Sequence, residues 1–93
     1  MAIRSFKRAD TRKLFMGQRV RRFTAIESAA MRKLAMLNRA GTLDDLRVPP
    51  GNRLEALQGV RAGQYSIRMN DRYRVCFVWT CEGPKDVEIV DYH

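Results

Sequence analysis

The sequence predicts an α+β domain, with helices laid on one face of a mainly antiparallel sheet. Three observations lead there. Residues 64–69 and 73–79 each alternate apolar and polar side chains, the period of a half-buried strand. Ile26, Ala30, Leu34 and Leu37 recur at spacings of three and four, the stripe of an amphipathic helix. Val48-Pro49-Pro50-Gly51 is a firm break between a helical first half and a strand-rich second half. With 93 residues there is room for one domain, 1–93, and a modest core.

In chain order, Ile3–Lys7 is expected as a first strand, with Ile3 and Ser5 on one face and Arg4 and Phe6 on the other. Asp10 is placed to cap a short helix running to about Met16 and stopped by Gly17. Gln18–Phe23 is basic and carries no strong signal. Thr24-Ala25-Ile26-Glu27 reads as a capping box opening the main helix, which Gly41 stops. Arg32, Lys33 and Arg39 lie off the apolar stripe and give that helix a basic outer side. Thr42–Leu46 reads as one further helical turn with acids near its start.

After the break, Arg53–Leu57 is expected as a strand and Gln58–Gly63 as a loop. That loop lacks the Gly-Lys-Ser/Thr ending of a phosphate-binding P-loop. The hairpin follows, and its register is fixed by the apolar pattern. A two-residue loop would set Ile67 against Arg74 and mix the faces. A three-residue loop, Asn70-Asp71-Arg72, sets Met69 against Tyr73, Ile67 against Val75 and Tyr65 against Phe77, giving one apolar face. The same register puts Arg68 directly across from Arg74. Like charges directly opposite are destabilising, so the pair is either a site for an anion or a solvated pair with splayed side chains. Thr80–Lys85 turns the chain, and Asp86–His93 is the last strand. If Trp79 faces Val87 across that turn, Arg68, Arg74 and Tyr92 form one polar row.

The net charge is +8, and the whole excess lies in residues 1–47, where twelve lysines and arginines meet four acids. Residues 48–93 hold six of each sign. Such a surface favours nucleic acid or an acidic protein partner, and solvated helix faces are the bland alternative. No apolar run is long enough to span a bilayer. The first residues lack the apolar segment of a signal peptide, which points to the cytoplasm. Cys76 and Cys81 then fit as reduced thiols without metal-site spacing.

His93 is the one histidine and the one side chain that titrates near neutrality without help. Cleavage of RNA by its own 2′-hydroxyl needs a base, positive charge on the phosphorane oxygens and an acid for the leaving group. His93 can be base or acid, and Arg74 and Arg68 can hold the charge. Tyr92 can stack on a base or give a proton, and Asp91 can orient its neighbours. This chemistry needs no metal or other cofactor, and no ligand cluster suggests one.

Pro49–Leu57, Gly63–Arg68, the final Asp86–His93 and the opening Ile3–Phe6 together resemble HigB-type toxins of the RelE superfamily, nearest to a GraT-like subgroup. The resemblance covers the whole chain. It implies the RelE-like microbial RNase fold and a bacterial type II toxin that enters the ribosomal A site of the 70S ribosome and cuts mRNA. It also implies a helix-turn-helix antitoxin of the HigA/GraA type as partner, and no membrane. The family's catalytic group falls on His93, Tyr92, Asp91 and Arg74. Arg68, Gln58, Arg61 and Arg72 are expected to touch RNA, with Arg32, Lys33 and Arg39 aiding contact with ribosomal RNA. Some HigB proteins carry a His and a Lys where this chain has Glu55 and Gln58, which implies a milder toxin here. A binding module without chemistry and a ParE-like gyrase poison are the rival readings.

Overall fold

The hairpin forms in the register that its apolar pattern demands. In the computed structural model, which describes residues 2–91, β2 (Tyr65–Arg68) pairs antiparallel with β3 (Tyr73–Thr80). Tyr65 faces Phe77, Ile67 faces Val75 and Arg68 faces Arg74. The Met69 N–H donates to the Tyr73 carbonyl at 3.0 Å, leaving Asn70, Asp71 and Arg72 as the loop. This loop dispenses with glycine because Asn70 supplies the turn chemistry. Its Oδ1 accepts from the backbone N–H groups of Arg72 and Tyr73, both at 2.8 Å.

A two-residue strand, β1 (Glu55–Ala56), flanks β2, and a long one, β4 (Gly83–Asp91), flanks β3. The sheet is antiparallel in the order β1-β2-β3-β4. The expected strand over Arg53–Leu57 is shorter than its alternation suggests. Arg53 takes a left-handed backbone at φ 46°, ending the turn Pro50–Asn52, so pairing starts only at Glu55. Asn52 anchors that break from inside: it is fully buried, and its amide donates to the Leu46 carbonyl at 3.0 Å.

β4 differs from expectation in start and register. The reversal takes only Cys81 and Glu82, because the Thr80 hydroxyl bonds both the Gly83 carbonyl (2.7 Å) and the Glu82 N–H (3.1 Å). An irregularity between Cys76 and Val78 then shifts the pairing. Trp79 faces Pro84 rather than Val87, and Arg74 faces Val90 rather than Tyr92. The expected row Arg68–Arg74–Tyr92 is therefore Arg68–Arg74–Val90. Tyr92 and His93 lie outside the described residues.

The expected first strand is reduced to a single parallel bridge, Phe6 with Val87. Asp86, at φ 52°, breaks the regular ladder, and its N–H takes the Ser5 hydroxyl at 2.9 Å. Ile3 and Phe6 both pack on the core, a spacing that strict alternation would not give. The segment still covers the outer edge of β4, which would otherwise offer open hydrogen-bonding groups. Arg4 donates to Pro84, Val87 to Ser5 and Lys7 to Val87. The Ile89 N–H is met by the hydroxyl of the fully buried Thr11 at 3.1 Å.

Thr11 lies on α1 (Ala9–Phe15). Asp10 does not cap this helix; Arg8 holds the N-cap position. The Asp10 carboxylate is drawn instead to Arg8 (3.5 Å) and Arg22 (3.0 Å). The helix ends as expected at Gly17, φ 88°, with the Gln18 N–H on the Lys13 carbonyl at 2.9 Å. A 3₁₀ turn, Arg21–Ile26, runs straight into α2 (Glu27–Arg39). Helical backbone thus begins before Thr24, and its hydroxyl donates back to the Arg21 carbonyl at 3.0 Å, so the expected box with Glu27 does not form. Thr42 and Asp45 form the reciprocal box, at 3.3 and 3.0 Å, and open the turn Leu43–Arg47. The backbone N–H groups of Thr42 and Gly41 hold the Asp45 carboxyl below its ordinary range.

Ala30, Leu34 and Leu37 of α2 pack without solvent exposure against Ile67, Val75, Phe77, Val87 and Ile89 of the sheet. Burying each large aliphatic side chain stabilises the fold by roughly 1.5–3 kcal/mol. Among the described residues no helix is long and apolar enough to cross a membrane.

The Thr11→Val substitution keeps the shape of the side chain and removes the acceptor for the Ile89 N–H. It is expected to cost about 1–3 kcal/mol in urea unfolding, the cost of leaving a buried donor unpaired. A loss below a few tenths of a kcal/mol would mean that this bond does not hold α1 to the sheet edge.

Candidate active site

The sheet face turned away from α2 carries Glu55, Ser66, Arg68, Arg74, Cys76 and Glu88, as the register requires. Arg74 is its most tightly positioned member. Its Nε donates to the Ser66 hydroxyl at 2.7 Å, its Nη2 to the Arg53 carbonyl at 2.8 Å, and Glu55 lies 3.3 Å away. The planar guanidinium is thereby fixed in orientation, with 11% of the side chain exposed.

The conflict between facing arginines is relieved by splaying. Arg74 leans toward β1 and Glu55, while Arg68 pairs with Asp71 in the hairpin loop. Asp71 is 99% exposed and Glu55 56%. Ion pairs to such exposed acids hold little energy, so a stronger anion can displace them. The structure shows the splayed arrangement.

Asp91 ends β4 opposite Tyr73 and accepts from Arg72 at Nε (2.9 Å) and Nη2 (2.8 Å). That bond raises the Arg72 pKa. The Arg72 guanidinium also lies 5.2 Å over the Tyr73 ring. Asp91 and Arg72 therefore meet at the hairpin end of the sheet. Tyr92 and His93, expected beside them, are outside the described residues.

The remaining expected contacts divide. Lys33 is not on the outer side of α2: its Nζ donates to Asn52 at 2.5 Å. Burial, then the charges of Arg32 and Arg68, push its pKa down. Arg32 and Arg39 are exposed as expected. Arg61 is turned inward to Glu88 (3.3 Å) and Gln64 (3.2 Å). Glu88 is only 5% exposed, and Lys7 at 3.6 Å completes its neutralisation. This cluster adjoins Cys76, whose thiol is pushed up to about 11, mainly by burial. Gln58 is exposed at the start of the turn Gly59–Arg61. Among the described residues no three His, Cys, Asp or Glu side chains converge to hold a metal ion.

Sequence reasoning missed Ser66 and the Arg53 carbonyl, the groups that aim Arg74. The signal for Ser66 was present: it is diagonal to Arg74 in the predicted register, within reach of a long side chain. The Arg53 carbonyl depends on a left-handed turn that residue types alone did not announce.

Residues 4–93 match the family described as RelE-like toxin of type II toxin–antitoxin system HigB. The chain is 50% identical over 56 residues to the protein named Toxin HigB-1 of Vibrio cholerae serotype O1, a stretch covering 60% of this chain and 59% of that protein. It is 44% identical over 46 residues to an uncharacterised protein of Haemophilus influenzae, covering 50% and 46% of the two. The matches span about half the length of these curated relatives.

Proposed function

We propose, from the premise that this chain belongs to the HigB-like family of RelE-like toxins of type II toxin–antitoxin systems, that it is a metal-independent endoribonuclease cutting mRNA in the A site of the 70S ribosome. The observation that carries the reading is the facing pair Arg68 and Arg74 on one sheet face, each held by an exposed acid that RNA phosphate can displace. With Asp91 at the adjoining strand end, these residues supply the charge and orientation that the reaction needs.

In this reading the 2′-hydroxyl oxygen attacks the adjacent phosphorus. Its proton passes to a base, the bond from phosphorus to the 5′-oxygen breaks, and that oxygen takes a proton from an acid. The products are a 2′,3′-cyclic phosphate and a 5′-hydroxyl. His93 serves as base or acid and Tyr92 stacks on a base or gives a proton, while Asp91 orients its neighbours. Arg74 and Arg68 hold the developing charge on the phosphorane. Arg72 and Gln58 flank this face, and Arg61 supports it by neutralising Glu88. Arg32 and Arg39, the exposed cations of α2, strengthen ribosome contact through salt-dependent attraction to ribosomal RNA. A helix-turn-helix antitoxin of the HigA/GraA type restrains the toxin in the cytoplasm, as in a GraT-like subgroup.

Glu55 tempers the activity. It occupies Arg74 at 3.3 Å and presents a negative charge where phosphate must approach. The Glu55→Gln variant is expected to cleave roughly fivefold faster, the ~1 kcal/mol scale of a partly exposed ion pair. A slower variant would show instead that Glu55 is needed to aim Arg74.

The decisive test is cleavage mapping by primer extension on translated mRNA with 70S ribosomes. The native protein should leave discrete cut ends at A-site codons, and His93→Ala should lower cleavage by about 100-fold or more. Absence of cut ends with the native protein would leave a ribosome or protein binder. DNA damage without mRNA cuts would point to a gyrase poison.

A further inference from the structure

A concavity of about 570 Å³ lies between α1 and the chain entering the 3₁₀ turn Arg21–Ile26. Arg8, Lys13, Arg19 and Arg21 line it, with Asp10 the one acid in its wall. Asp10 is already shared by Arg8 (3.5 Å) and Arg22 (3.0 Å), so it holds guanidinium groups in place without cancelling the groove's charge. Lys13, Arg19 and Arg21 form no ion pair among the described residues, and all three are exposed. Four cations are thus gathered around a hollow that the protein itself leaves positive. The remaining lining, Ala9 and Val20, offers no side chain that reads a base.

The groove connects to the candidate active site through touching side chains. Arg22, bound to Asp10, lies 4.8 Å over the Phe23 ring. Phe23 meets Tyr73 edge-on at 6.3 Å between centroids. Tyr73 lies under Arg72, which binds Asp91.

We propose that this groove is a second binding site for the RNA phosphodiester backbone, separate from the sheet face and gripping RNA without regard to sequence. Arginine forks match phosphate oxygens, and contacts to phosphate position a strand rather than specify its sequence. The assignment of the occupant as RNA rests on the nuclease reading above; the groove's affinity for polyanionic backbone does not depend on catalysis.

The test compares His93→Ala protein with the same protein carrying Lys13→Gln, Arg19→Gln and Arg21→Gln, titrated with poly(U) RNA at several KCl concentrations. The triple substitution spares Asp10, Arg8 and Arg22, and thermal melting checks that the fold is kept. Binding is expected to weaken about tenfold or more at 0.1 M salt. The salt slope should become shallower by about two, from three lost phosphate contacts at ~0.7 each in single strands. Equal affinity and slope would overturn the proposal, as would a native protein that prefers poly-glutamate to poly(U). Should melting reveal a damaged fold, the pair Arg19→Gln, Arg21→Gln decides by the same criteria, with a slope change of about 1.4. Poly(U) binding involves neither a ribosome nor a cut. Failure of the nuclease reading would therefore appear in primer extension, and failure of the groove would appear here.

Discussion

The apolar face of the hairpin is the constraint on which the rest depends. Tyr65, Ile67, Val75 and Phe77 can reach the helices together in only one register, and slipping one strand by one residue would turn its apolar pair to the opposite face. That same register places Arg68 against Arg74 on the far face. Core packing thus sets like charges at facing positions. Ser66, Glu55 and the Arg53 carbonyl take up the strain on one side and Asp71 on the other. The register fixes the two backbones opposite each other, and each guanidinium turns to its own partners, so the proposed anion site requires both to swing back over the sheet face.

Charge is organised at two levels of permanence. Glu88 is buried under Arg61 and Lys7, and removing any partner would strand a charge away from water. That cluster is structural. The pairs Arg68–Asp71 and Arg72–Asp91 sit at the solvent edge, where water and salt compete. They can exchange partners at little cost. Arg68 and Arg72 of the proposed RNA surface belong to the second group, while Lys13, Arg19 and Arg21 beside α1 form no ion pair among the described residues.

Much of the fold was legible in the sequence where periodicity was long. The hairpin and its three-residue loop, the stripe Ala30–Leu34–Leu37 and the stop at Gly17 all follow from local rules. The misses have physical causes. Thr24-x-x-Glu27 and Thr42-x-x-Asp45 carry the same kind of signal, and only the backbone entering each decides which one caps. The register of β4 depends on an irregularity beside Phe77 that alternation does not encode, which is why Val90, not Tyr92, faces Arg74. Lys33 lies off the apolar stripe, yet the buried Asn52 draws it inward. Of the candidate site, the facing arginines could be read from pattern alone, whereas Ser66 and the Arg53 carbonyl required three-dimensional placement.

The central claim is that Arg68 and Arg74 act as one anion site. Arginine Nε–H resonances observed by NMR during titration with a 2′-O-methyl RNA oligonucleotide, which cannot be cut, test this directly. The account predicts that both resonances shift together along one binding curve, as phosphate replaces Asp71 and Glu55. Resonances that stay fixed while RNA binds, or that follow two unrelated curves, would contradict it.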